Sequence, residues 1–447
     1  ASISGLTVGK GAGSVSTNVA VGDSAISATA TGTNNTAVGS SALSVVSSGS
    51  NNTAVGRVAL ANNTTGGSNT GIGRYALSLN TTGNYNTAVG QDTLASNTTA
   101  TNNTAVGYQS AYSNTTGNNT SVGYQSLRSN TTGYQNTAIG ELALYSNTTA
   151  NNNTAVGYQA GYNNTTGTVN TALGYRALYT NTTGGSNVAI GDQALVTSNA
   201  SNNTGVGSLA LNANSSGATN TAVGSSALQN NTTASNNTAV GYQAGYANTT
   251  GAVNTFLGVQ AGYSTTTASN ITAVGSFALY TNSTGPDNTA MGENALGKNT
   301  TGGYSTAVGR RALFNNTTGN ENTAFGYYSA YTNTTGQYNV AIGKEALYSN
   351  TTASSNTAVG YQSLYSNTTA NALTAVGYNA LRANTTGADN NAFGQGALYS
   401  NTTGQSNVAL GGGIYGVTQG SLGANTTGSY NTAVGVAALL SNTTASN

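Results

Sequence analysis

The sequence predicts an all-β parallel β-solenoid of about 26 stacked coils with 17 residues to a coil, and three observations lead there. The stretch NTAVGYQSAYSNTTG at 103–117 returns nearly letter for letter as NTAVGYQSLYSNTTA at 356–370. The glycine of T-A-V-G falls at 22, 39, 56, 73, 90 and 107, then at 123 to 191 and at 207 to 411, in steps of 17 broken by only two steps of 16. The charges are the third observation: all nineteen lie at just five positions of the repeat, as a folded array requires and a disordered one does not.

With that glycine as position five, the unit reads N-T-A-V-G-Y-Q-A-L-Y-S-N-T-T-G and two variable polar residues. The β-branched residues, the repeated Asn and the two glycines disfavour helix and favour short strands separated by turns. T-A-V, as in Thr104 to Val106, is the first strand; G-Y-Q, Gly107 to Gln109, is the corner; the next strand runs Ser110 to Tyr112. N-T-T forms a third side, and the glycine after it is available for a turn. Alternation along a strand directs the large residue at position four (Val38, Ile72, Phe325) and Leu at nine (Leu43, Leu144) inward. Positions three, eight and ten then face out, and three is small except at Phe256.

Charges occupy positions six, seven, ten, eleven and seventeen, so the remaining recurrent columns of the unit are expected to be buried, packed on a neighbour or stacked in ladders. Five coils have Ala or Gly at nine (Ala111, Gly161, Gly245, Gly262, Ala330), each followed by Tyr, and the ring is expected to fold over the gap.

The array divides into an irregular start at 1–21, which includes a short unit at Gly9, a regular solenoid at 22–411, and last coils at 412–447 with a seven-residue insertion around GGGIYGVTQGSLG. A lone coil buries about two good side chains, each contributing about 1.5–3 kcal/mol, against about 1–2 kcal/mol of backbone entropy per residue. Only stacking makes such a coil stable, by pairing its strands and aligning like side chains in ladders. At about 4.8 Å per coil the array is a thin shaft on the order of 120 Å long, too narrow for a ligand cavity.

Composition excludes several function classes. Charged residues are 4% of 447, the net charge is +1, and His and Cys are absent. Nothing here follows a phosphate backbone, so no nucleic acid partner is expected. The longest apolar runs fall far short of a bilayer, so no membrane insertion is expected. The opening at Ala1 suggests a processed or trimmed chain. Nine scattered carboxylates give no catalytic, cofactor or metal constellation, GKGAG at 9–13 lacks the spacing of a phosphate loop, and the N-x-T matches reflect ladder composition. No enzymatic role and no cofactor are expected.

The best candidate contact surface is tyrosine. Position six supplies Tyr108, Tyr158, Tyr175, Tyr242, Tyr361 and Tyr378, and position ten supplies Tyr145 and Tyr348. Such rows suit stacking on a cell-surface glycan or a neighbouring fibre, or shielding of corners and seams.

The N-[TV]-A-[VI]-G-x-x-[AS]-L unit resembles the head repeats of trimeric autotransporter adhesins, and more closely the repeat shafts of phage and cyanophage tail fibres. The opening ISGLTVGKGAGSVSTNVAVG at 3–22 is similar to the way such regions begin. The turn is longer than in the adhesin heads, and no stalk, anchor or chaperone segment is recognised. The resemblance implies a left-handed β-roll, an extracellular or virion-surface location and a homotrimer, in which the small column at position three would pack on a sister chain. The function expected is a structural fibre or adhesin shaft that presents a binding tip. A secreted filament joined end to end is the alternative. Ice binding through the Thr rows is a third reading, opposed by the Asn-rich flanks and bulky Tyr.

Overall fold

A computed structural model describes residues 2–3, 6–10, 15–414 and 419–446, and has two compact units, 1–220 and 221–447. Part of GKGAG and part of the insertion fall outside the described residues. The chain is an all-β parallel solenoid, with no helix among the described residues. In the first unit, β1 (Ser2–Ile3) pairs antiparallel with β2 (Leu6–Gly9), and β2 antiparallel with β3 (Val19–Val21). The expected unit at Gly9 is therefore an antiparallel strand laid against the first coil. From β3 to β14 (Thr204–Val206) every pairing is parallel and in register, as Thr36, Ala37 and Val38 face Thr53, Ala54 and Val55. In the second unit the same holds from β15 (Thr221–Val223) to β27 (Thr432–Val434). The insertion does not shift the register: β26 (Val408–Leu410) pairs with β27 residue for residue, and Ser421 and Leu422 take positions eight and nine.

Each coil has one strand, where two were expected. The segment A-L-Y is a pair of turns, because the residues at seven and nine adopt left-handed φ: Ser41 at 59° and Leu43 at 49°, for example. Within the coil Ala42 N–H donates to Gly39 O (3.3 Å) and Val46 N–H to Leu43 O (3.3 Å). The other amides reach neighbouring coils in both directions: Ser41 N–H donates back to Asp23 O (2.9 Å), and Leu43 N–H forward to Ala59 O (3.1 Å). Position five must be glycine. Gly56 has φ +135°, and a Cβ there would stand 2.5 Å from Gly73 O of the next coil.

The faces are the reverse of those expected at positions three and four. Ala37, Ala54 and Ala88 at three, and Ala42 and Ala59 at eight, are fully buried together with Leu43 and Leu60 at nine. The residue at four points out. Beside a leucine at nine the interior has no room at three for more than the methyl of alanine, as even a Cβ on Gly71 would lie 3.2 Å from Leu60 Cγ. Alternation then sends position four to the surface. The small column is core, so it is not available to pack on a sister chain as the resemblance implied.

Phe256, the exception at three, is fully buried, and its ring occupies the space beside Gly245 and Gly262, where leucine is missing. Gly161 is met in the same way by Leu144 Cδ2, 2.9 Å from where its Cβ would be. The tyrosines after these glycines do not fold over the gaps. Tyr162, Tyr246 and Tyr263 stay half-buried in an outer column, stacked on the rings of adjacent coils.

Two asparagine ladders are buried in the interior beside the small residues and leucines. At position one, Asn69 donates from its side chain to Gly83 O of its own coil (2.8 Å), closing the coil, and its Oδ1 accepts the N–H of Asn86 (2.9 Å). At position twelve, Asn80 donates to Asn63 Oδ1 of the coil before (2.7 Å) and to Gly83 O (3.1 Å). The ladder at twelve breaks where the repeat does. Asn97 Oδ1, Asn181 Oδ1 and Asn248 Oδ1 are buried without a hydrogen bond. The residues that would donate to them are Asn114, in a shortened coil and turned to Thr116 O (2.7 Å), Ser198 and Thr265. Thr265 Oγ1 is itself unpartnered. Thr265→Asn restores the donor and is expected to raise stability by about 1 kcal/mol. The check is a rise in the melting temperature, or slower amide exchange in the coils around 248–282.

Candidate contact surfaces

Three outward columns follow from this cross-section. The first is the sheet face, where position two is mostly Thr and position four is Val, Ile, Leu, Met or Phe. It is open: Ile72 is 39% exposed in the first unit and Phe325 48% in the second. No charge occurs at either position, although the side chains there are half-exposed to exposed. Position fourteen is likewise uncharged yet exposed, so freedom from charge does not by itself mark burial in this repeat, whereas position thirteen, mostly half-buried, stacks in a ladder as expected. At thirteen the hydroxyl is used in the ladder, as Thr81 Oγ1 donates to Thr98 O (3.1 Å).

The second column is position six. Tyr108, Tyr158, Tyr175, Tyr242, Tyr361 and Tyr378 are all exposed, as expected. Within the first unit Tyr158 stacks on Tyr175 (5.6 Å between centroids) and Tyr108 on Tyr124 (5.5 Å); within the second, Tyr361 stacks on Tyr378 (5.1 Å). The third column is position ten. Tyr145 continues through Tyr162 to Tyr179 (5.2 and 5.3 Å), and Tyr348 joins Tyr331 and Tyr365 (5.3 and 5.1 Å). Tyr145 and Tyr348 are only half-exposed, with their faces covered by adjacent rings. The eight tyrosines are thus members of two columns, split between the two units, and not one patch.

Cations thread these columns. At two rungs of position ten an arginine stands between flanking tyrosines: Arg128 lies against Tyr112 and Tyr145 (5.6 and 5.9 Å), and Arg382 against Tyr365 and Tyr399 (5.3 and 5.9 Å). Each such contact contributes about 0.5–1 kcal/mol at an exposed site. Arg310 and Glu293 form an exposed ion pair at 3.0 Å. Among the described residues no cluster of three His, Cys, Asp or Glu could hold a metal, and no helix is long and apolar enough to cross a membrane.

The phenols report this packing. The Tyr162 hydroxyl is pushed up from the ordinary 10.0 by burial first and by neighbouring phenols second, and Tyr348 likewise. Tyr75 is held below 10.0, chiefly by its hydrogen bond with Arg74 and then by the charge of Arg57. A phenol with a raised folded pKa binds its proton more tightly when folded. Its stabilising contribution is complete below the unfolded value of 10.0 and is lost as pH rises through the raised one. Alkaline titration followed by phenolate absorbance is expected to ionise Tyr75 first and Tyr162 and Tyr348 last, with thermal stability falling in the later phase. Loss of the earliest phase in Tyr75→Phe checks the assignment; an unchanged first phase contradicts it.

The sequence missed the outward sheet face. Its signal was size tolerance: position four accepts anything from Val to Phe, whereas three accepts almost only Ala, Gly and Ser. No protein-family model matches the chain, and no curated protein matches it.

Proposed function

We propose that this chain is a stretch of the shaft of a structural fibre, extracellular or on a virion surface, which holds a binding tip away from its base and has no catalytic role. The tail-fibre and adhesin repeats it resembles supply the context. The observation that carries the reading is the stacked ladder itself: in-register pairing from coil to coil suits a part whose work is to keep distance. In this reading the shaft is a homotrimer closed through the exposed sheet face, since an uncharged stripe of Ile, Leu, Met and Phe is what chain–chain packing buries. The tyrosine columns remain outside, where a surface glycan is the partner they suit.

Sedimentation equilibrium tests the assembly. The expected mass is that of three chains, with dissociation in the double variant Phe325→Lys, Ile342→Lys while the circular dichroism is kept. A wild-type chain that sediments as a monomer overturns the trimer. Glycan-array binding by the intact chain, lost when exposed position-six tyrosines are changed to Ser, tests the partner.

A further inference from the structure

In the second unit the position-ten column has a continuous run from 246 to 399: Tyr246, Tyr263, Tyr280, Gly297, Phe314, Tyr331, Tyr348, Tyr365, Arg382, Tyr399, with Gln229, Gly423 and Leu440 outside it. Within that run every rung but Gly297 has a flat side chain. At Gly297 the column has a vacancy, bounded on one side by Tyr280, which stacks on Tyr263 (5.2 Å, 13° between planes), and on the other by Phe314, which stacks on Tyr331 (5.6 Å, 8°). A cleft of about 470 Å³ opens there, lined by Phe277, Tyr280, Thr281, Asn294, Gly297, Lys298 and Phe314. Two rungs of about 4.8 Å set rings that stand square to the column about 10 Å apart, so a ring between them stands about 5 Å from each, within the range aromatic pairs prefer, once Phe314 swings back toward Tyr331. Phe314 leans part of the way in: a Cβ on Gly297 would lie 2.9 Å from its Cδ2 and Cε2.

The rim of this vacancy is positive. Lys298 Nζ lies 5.1 Å from the centre of the Phe314 ring and donates to Asn315 Oδ1 (3.0 Å) without a carboxylate partner. Arg311 lies against the same ring at 5.6 Å, with one N–H on the Tyr328 hydroxyl and Nε buried without a partner. The nearby Glu293 is engaged by Arg310 at 3.0 Å and by the Asn294 amide at 3.3 Å.

We propose that this vacancy is a binding site for a small aromatic carboxylate: a phenyl or phenol ring takes the place of the missing tyrosine between Tyr280 and Phe314, and its anionic arm meets Lys298. The repeat itself defines the guest, because the neighbouring coils fill the equivalent space with a phenol. The inference is independent of the fibre reading, since it concerns one coil within one unit.

The test uses the full chain and 4-hydroxyphenylacetate, with binding followed by saturation-transfer NMR and calorimetry. Its neutral amide and cyclohexylacetate are the comparison probes. Wild type is expected to bind the phenolic acid saturably in the millimolar range or tighter, and the amide and the non-planar acid several-fold more weakly. Gly297→Tyr completes the column with the repeat's own residue, the Phe314 ring moving back toward Tyr331, and is expected to weaken binding at least tenfold. Tyr280→Ala removes a wall and is expected to do the same, so the outcome does not depend on one variant folding. Lys298→Gln is expected to abolish the preference for acid over amide while the amide binds as before. No saturable binding by wild type at 10-fold excess over the millimolar range, or equal binding by wild type and by whichever of Gly297→Tyr and Tyr280→Ala folds, overturns the site. Acid and amide binding alike to wild type overturns the role of Lys298.

Discussion

Phe256→Ala is expected to cost about 3–5 kcal/mol of local stability, among the largest effects available in this chain. The ring is fully buried and fills the leucine places vacated at Gly245 and Gly262, so its removal leaves one cavity spanning two coils. The backbone cannot collapse into it, because each coil is held by hydrogen bonds, as Gly245 N–H donates to Ala261 O (2.9 Å) and Gly262 N–H to Ala278 O (2.9 Å); only side chains at its edge, such as Leu228, can relax. The repeat also supplies the rescue. Gly245 and Gly262 have φ of 60° and 62°, close to the 48–55° of leucines at the same position, so leucine fits their backbone. The triple variant Phe256→Ala, Gly245→Leu, Gly262→Leu returns these coils to the consensus and is expected to recover most of the loss. Gly245→Leu, Gly262→Leu with Phe256 retained overpacks the same space and is expected to be destabilising by about 1–3 kcal/mol. Because repeat arrays open locally, the measurement is amide exchange in the coils around 245–278 alongside the melting temperature. Additive effects of the three substitutions would show that they do not share a cavity.

The fold was legible because the period was. A spacing of 17 residues, charges confined to five positions and Asn at two fixed places specify stacked in-register coils before any geometry is known. The cross-section was less legible, and position four shows why. Hydrophobicity alone places Val, Ile and Phe inside and Ala outside, which is correct for a two-layer core. In a coil of this size the limit is volume, and a leucine from nine already reaches the opposite wall, so the small residue goes in and the large one out. The second strand failed for a local reason: Leu at φ near +50° is disfavoured for an L-residue, and no sequence preference announces it. Tyr108 and its companions at six were placed correctly on the surface because side chains at a charge-bearing position must be solvent-facing. The vacancy at Gly297 was visible as one glycine in a column of rings, but only stacking distances give that column meaning.

Asn69→Asp is the second substitution with a large expected effect, and its sign depends on pH. The two side chains have the same shape, so packing is unchanged. Asn69 Oδ1 accepts from the Asn86 N–H (2.9 Å) and side-chain amide (3.2 Å), and an aspartate oxygen can do the same. The other atom, Nδ2, donates to Gly83 O at 2.8 Å, and an ionised carboxylate there would set oxygen against oxygen in a fully buried place. Only the protonated acid can donate that bond. Burial and the facing carbonyl therefore raise the folded pKa of the introduced acid above its unfolded value of about 3.9. Linkage fixes the sign: the variant approaches wild-type stability below about pH 4 and loses stability as pH rises through the folded pKa. A tenfold gain in proton affinity on folding corresponds to about 1.4 kcal/mol, so a gain of about a thousandfold removes about 4 kcal/mol by neutral pH. Melting curves of wild type and variant between about pH 3 and 8 are expected to converge at the acid end and separate toward neutrality. A constant difference across that range would mean that the Asn69 amide does not close its coil. Asn69→Ala separates the two contributions, because it leaves the Asn86 N–H without its acceptor and Gly83 O with only the Asn80 amide (3.1 Å) but adds no charge. Its loss, about 2–4 kcal/mol, is expected to be the same at both ends of the pH range.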